Sequence, residues 1–170
     1  MKRLAKFPIV LGFVVGLGLS SASVAQDGLD PQSFVARASV STMVGVESAT
    51  LALHKTSSPA IKDFAHRLAN DLGTTSSSLR QITAKRSDIA IPERPDSSHL
   101  DLMRDLNQKQ GAEFDRAYIA AQRKMQEENA ALLAAYAEKG QDADLRAFAT
   151  RALPTAQDLA RRAQDLEKPQ

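Results

Sequence analysis

The sequence predicts an all-α protein, a four-helix bundle with one extra short helix and one long crossover connection. Three observations predict it. Apolar residues recur at threes and fours along four long segments, no segment sustains the alternation of a strand, and Ser57-Ser58-Pro59 and Gly140 punctuate the chain between those segments. The chain has 170 residues and no cysteine, so its fold rests on an apolar core without disulfides.

The N-terminus comes first because it changes the charge arithmetic. Lys2, Arg3 and Lys6 form a basic start, and Phe7 to Leu19 is mostly apolar but short for a membrane span. Ser23-Val24-Ala25 offers a small-residue cleavage site before Gln26, so residues 1–25 read as a signal peptide and export to the periplasm is expected. An uncleaved N-terminal anchor is the alternative. Cleavage removes three of the 22 Lys+Arg and none of the 20 Asp+Glu, leaving 19 against 20, a formal charge of −1. Acids and bases then alternate along every segment, which argues against nucleic-acid binding.

After a polar leader at 26–32, a single bundle domain is expected over 33–168. Asp30-Pro31 supplies a cap and a proline start, and Phe34, Val40, Val44 and Leu51 mark the first helix, from Ser33 to about Ser57. Ser58 caps the second, whose stripe is Ile61, Phe64, Ala65, Leu68, Leu72, Leu79 and Ile82. Gly73 and the Thr74 to Ser78 run should loosen or bend it without ending it. Ser87 to Pro95 holds two prolines and reads as the crossover. Ser97 or Ser98 then caps a short helix bearing Leu100, Met103 and Leu106. Phe114 to Lys139 is the third long helix, with Gly140 as its C′ residue. Asp142 or Asp144 opens the fourth, which carries Leu145, Phe148, Ala152, Leu159, Ala163 and Leu166 and should kink near Thr150 because Pro154 removes a donor.

Several pieces together resemble a known family. They are Phe34-Val35 with Glu47, Ile61-Lys62-Asp63-Phe64-Ala65 with Asp71, Phe114-Asp115-Arg116-Ala117-Tyr118, and Leu145-Arg146-Ala147-Phe148-Ala149 with Leu153-Pro154. The chain resembles the bacterial domain-of-unknown-function family 4142 across almost all of its mature length. The resemblance implies export, a ferritin-like four-helix bundle and the label of a predicted outer-membrane protein, with outer-membrane association and a role in stress tolerance as expectations. It also implies histidines after the second-helix Asp, twelve residues after the third-helix Phe, and shortly after the fourth-helix Leu-Pro. Leu72, Gln126 and Asp158-Leu159 stand at those places, so no metal site is carried over.

The residues themselves point the same way. Di-metal ferritin-like centres use Glu-x-x-His on two helices, and the sequence contains no Glu-x-x-His. His54, His66 and His99 read as surface or helix-end residues; Glu47 and His54 share a helix face but are separated by about 10.5 Å of rise. Met43, Met103 and Met125 lie on three segments without a Met-x-x-Met pattern and read as core filling. Neither a Gly-x-Ser-x-Gly elbow nor a cysteine is present, and no cofactor or enzymatic activity is expected.

Glu47, Asp71, Asp115, Gln122 and Gln126 form the candidate polar core site. Glu47 has the apolar neighbours Val40, Val44 and Leu51, which place a carboxylate in or beside the core with a partner among Gln122, Gln126, Arg67 and Arg123. It would then fix helix register or bind a ligand. Asp115 reads as a first-turn acid pairing Arg116 or Arg146. The stripe of Asp115, Gln122, Gln126 and Asn129 reads as a solvated or boundary face, or else as a polar pocket facing Glu47 and Asp71 across the bundle. The expected function is that of a non-enzymatic envelope protein acting through contacts with another envelope protein or a small ligand. Two alternatives stay open: a ferritin-like metal- or small-molecule-binding protein with redox activity, and an amphipathic bundle that makes peripheral membrane contact by opening on lipid.

Overall fold

The computed structural model describes residues 30–168. The signal peptide expected over 1–25 and most of the leader lie outside the described residues. Five helices follow one another: α1 (Pro31–Lys55), α2 (Pro59–Thr83), α3 (Ser97–Gln108), α4 (Gly111–Lys139) and α5 (Ala143–Asp165), with no strand among the described residues.

Local chemistry sets each start. Asp30 accepts from the Gln32 and Ser33 amides ahead of Pro31, and Ser58 accepts from Ile61 ahead of Pro59. The short α3 is capped by Asp96, which accepts from the His99 amide, rather than by Ser97 or Ser98. Asp outcompetes Ser there because its carboxylate also complements the helix dipole. Asp142 caps α5 through the Leu145 amide. α4 begins one turn earlier than Phe114, at Gly111, which has φ +52, a left-handed value that suits glycine.

One expected feature takes a different form. Gly140 follows α4 with φ −59, outside the left-handed region, so its need is spatial: a Cβ there would stand 2.4 Å from Tyr136 Cε1. α2 is not ended at Gly73, as expected, and within it the hydroxyls of Thr74, Thr75, Ser77 and Ser78 each donate to the carbonyl four residues earlier. α5 likewise continues through Pro154.

The helices form a square. α1 packs on α2 and α4 on α5 as short-turn hairpins, while α1 also meets α4 and α2 meets α5. Phe34 near the start of α1 stacks on Tyr136 near the end of α4, with centroids 3.8 Å apart. Lys55 at the other end of α1 donates to the Asn107 and Lys109 carbonyls at the α3–α4 junction. Adjacent helices are therefore antiparallel, and α1 and α5 run the same way on opposite corners. To reach the start of α4 from the end of α2, the chain must travel the bundle's length. Residues 84–96 and α3 make that journey along the α1–α4 groove, pinned by Gln32, which exchanges two hydrogen bonds with the Ala90 backbone.

Two apolar clusters fill the interior. One includes Phe34, Leu79, Leu133, Tyr136, Leu145 and Phe148; the other includes Phe64, Leu68, Leu72, Phe114, Tyr118 and Leu159. They share no residue. On α4 the stretch between them runs from Gln122 to Asn129, and on α1 it ends at Ser48. A smaller cluster of Val40, Val44 and Met125 lies there, covered by Leu102 and Met103 of α3. Gly45 lets α1 and α2 approach, since a Cβ at Gly45 would meet Leu72 Cδ1 at 2.2 Å.

Candidate functional site

The five candidate residues are not brought to one place. Glu47 is exposed, lining a shallow groove with Met43, Gly73, Ser76 and Arg80 on the outside of α1 and α2. This overturns its expected core position. Helical geometry places Glu47 about 160° round α1 from Gly45. The buried face of α1 includes the small residues Ala38, Gly45, Ala49 and Ala52, with Gly45 set closely against Leu72, beside the larger valines that guided the expectation. Ser48, one residue on, is the polar group that turns inward.

Asp71 is half-buried near the α2–α5 surface. Arg67 approaches it at 3.9 Å and also reaches Asp158 at 3.8 Å, while Asp158 is bound by Arg161 and Arg162. Hydrogen bonding from Arg162 outweighs partial burial and holds the Asp158 carboxyl below its ordinary value. Asp71 thus belongs to a surface ion cluster rather than to a pocket facing Glu47. Asp115 falls in the second turn of α4, not the first, and pairs neither Arg116 nor Arg146, which donates instead to the Gly140 and Gln141 carbonyls. Its Oδ1 is buried without a partner.

Gln122 and Gln126 do meet, in the interior. Gln122 Nε2 donates to Ser48 Oγ at 2.9 Å, the Ser48 hydroxyl donates to the Gly45 carbonyl at 3.0 Å, and Gln126 Nε2 donates to Gln122 Oε1 at 3.2 Å. Both glutamines are fully buried, as is Asn129 nearly so. The solvated-face reading of this stripe is therefore wrong. Tyr118, Gln122, Met125, Asn129, Leu132 and Tyr136 repeat at fours and threes, so the seam of α4 carries amides at positions a core would fill with apolar groups. The ladder ends unsatisfied: Gln126 Oε1 has no partner, nor has the Tyr118 hydroxyl, whose titration burial pushes well above the ordinary range.

The ladder's chemistry is poor for a metal. Its donors are neutral amide and hydroxyl oxygens, weak ligands beside imidazole, carboxylate or thioether. Among the described residues no group of three or more His, Cys, Asp or Glu side chains could hold an ion. The residues present do not fit a metal centre. His54 and His66 are exposed, and His99 is half-buried at the start of α3 with its Nδ1 2.8 Å from Asp96 Oδ2.

A concave feature with both apolar and charged lining lies elsewhere. Where the crossover passes over the α1–α4 groove it leaves a cleft of about 550 Å³. Val40, Met125 and Leu132 supply apolar lining, and Pro92 and Pro95 hold the crossover wall. Arg37, Arg94, Asp96, His99, Glu128 and Asn129 supply the polar groups. Asp96 accepts from Ser98 Oγ at 2.6 Å, from the His99 ring and from the His99 amide, and these bonds, Ser98 first, hold its carboxyl well below the ordinary carboxylate range. Sequence reasoning missed this site. Its signal was the proline-rich connection itself, whose 13 residues between α2 and α3 had to lie against some face of the bundle.

With that architecture in view, the chain matches the domain of unknown function DUF4142 over residues 18–166. The chain belongs to that family. A solved structure, CopM in the Cu(II)-bound form, is similar in fold at 13% identity, with a TM-score of 0.66 over 80% of this chain and 94% of that one. Likeness at that identity carries the helical bundle of this DUF4142 protein and nothing finer. No curated protein matches the chain.

Proposed function

We propose that this DUF4142 protein is a non-enzymatic, exported envelope protein that works by binding, with the cleft under the crossover as its ligand seat. The cleft carries the reading: it has the size of a small-molecule site and combines an apolar floor with a few convergent polar groups. The signal-like start of the sequence supports export. A role in stress tolerance would follow from sequestering or presenting that ligand.

The test is to produce the full chain in bacteria, release the periplasm by osmotic shock and weigh the recovered protein by native mass spectrometry. The reading expects a chain starting at Gln26, substoichiometric metal, and a bound small species that denaturation releases. Retention in the cytoplasm at full length would refute export, and a stoichiometric metal would refute the choice of site. The second reading, a metal-binding bundle, draws on the likeness to Cu(II)-bound CopM. In this chain the buried ladder offers only the neutral oxygens of Gln122, Gln126 and Ser48, and the same metal analysis decides between the two.

A further inference from the structure

We propose that the cleft takes a small amphipathic carboxylate, with its apolar body on Val40, Met125 and Leu132 and its head group held by Arg37 and Arg94. This rests on the reading of the cleft as the ligand seat and adds the class of ligand. The argument is one of hydrogen-bond donors left over. Four charged residues line the cleft, two of each sign, with the half-buried His99 beside them. Asp96 is hydrogen-bonded by Ser98 and His99, and Glu128 lies 4.0 Å from Lys124, so both carboxylates already have partners. Arg37 and Arg94 have neither an ion pair nor a side-chain hydrogen bond with any described residue. The two guanidinium groups come from different walls, Arg37 from α1 and Arg94 from the crossover.

Arginine makes this the site of a planar anion. Its rigid fork matches two carboxylate oxygens, and charge-assisted pairs of this kind are stronger than neutral hydrogen bonds. The Asn129 amide at the same lining adds a neutral donor. The apolar part of the lining, to which Ala36 and Pro92 add half-buried surface, favours an occupant with an apolar body over a bare inorganic anion. Ligand size follows from the volume, which suits one chain or one ring system rather than a two-chain lipid.

Calorimetric titration of the mature protein with decanoate, decanol and decyltrimethylammonium separates head-group from tail recognition. The proposal expects decanoate to bind at least about tenfold more tightly than decanol, the ammonium to bind most weakly, and Arg37→Gln and Arg94→Gln each to cost about tenfold. Both arginines are exposed, so neither variant threatens folding, and Arg151→Gln on the far side of α5 should change nothing. Ser41→Trp, which fills the cleft from α1, should abolish binding of all three. Equal affinity for decanoate and decanol, blocked by Ser41→Trp, would overturn the carboxylate and leave the seat standing. No binding of any probe would overturn the ligand class, and if the species carried from the periplasm also survives Ser41→Trp, the seat falls with it.

Discussion

The glutamine ladder makes a prediction whose sign is unusual: removing two buried hydrogen-bonding side chains together should stabilise the protein, while removing the wrong one alone should harm it. Gln122→Met keeps the length and unbranched shape of the side chain. It leaves Ser48 donating to the Gly45 carbonyl, but strands Gln126 with both ends of its amide unpaired. An additional orphaned buried donor costs about 1–3 kcal/mol. Gln126→Met removes the acceptor that is already unsatisfied and exposes a new orphan at Gln122 Oε1, so it should be close to neutral. In the double variant no ladder amide remains, and the two thioethers extend the apolar clusters on either side. It should exceed the wild type by about 1 kcal/mol or more, which makes the coupling between the sites about 2 kcal/mol or larger. Urea denaturation with an unchanged m-value reads this directly, and the double variant should melt a few degrees higher, at about 2–4 °C per kcal/mol for a domain of this size. If the double variant is less stable than Gln122→Met, the ladder is satisfied in the native state and its orphan atoms do not cost what they are argued to cost.

Other perturbations test other parts of the fold. Gly45→Ala puts a methyl into Leu72 and should cost about 1–3 kcal/mol, but much less when it is introduced into a Leu72→Ala background, where that side chain is gone; purely additive urea midpoints would show that the helices can simply part. Tyr118→Phe discards a buried hydroxyl that has no partner, so thermal melting should show no loss and a gain of up to about 1 kcal/mol; a loss of that size would reveal a hidden partner. Asp142→Ala removes the α5 cap and the Arg86 partner, and should lower stability by about 1–2 kcal/mol in denaturant titration. For the Asp142 carboxyl, burial acts upward but is outweighed by the Leu145 amide and Arg86, so its folded value lies below 3.8. A depressed carboxyl contributes stability above its unfolded value and loses it as pH falls through the folded one. Asp142→Asn should therefore flatten the acid limb of a stability profile below pH 3.8; an unchanged limb would show that Asp142 does not drive it.

Much of the architecture was legible because its signals are local. Asp30-Pro31, Ser58-Pro59 and Asp142 each start a helix for reasons contained within four residues. The bundle, the short extra helix and the family resemblance follow from stripes and motifs of the same kind. What escaped was anything decided by which side of a helix faces its neighbour. On α1 the large Val40 and Val44 outweigh Ala38, Gly45 and Ala49 in the pattern, although these small residues are buried too and Gly45 permits the close approach of Leu72, so Glu47 was misplaced. On α4 the polarity of Gln122, Gln126 and Asn129 suggested water, although their spacing is that of a core seam. The cleft was hidden for a different reason: it belongs to no helix and appears only when the crossover is laid across two of them.

The diagonal placement of α1 and α5 sets how the bundle can be used as an object. Both helices run in the same direction, so Asp30 and Lys168 emerge at opposite ends, separated by roughly the 35 Å rise of a helix of this length. Joining them into a ring or a circular permutant would require a linker of about a dozen extended residues. Anything fixed ahead of Asp30 is held at arm's length from anything fixed beyond Lys168. The bundle is thus a rigid strut as well as a container, and pulling on its two ends would load the helices along their axes, shearing the hairpins rather than peeling them open.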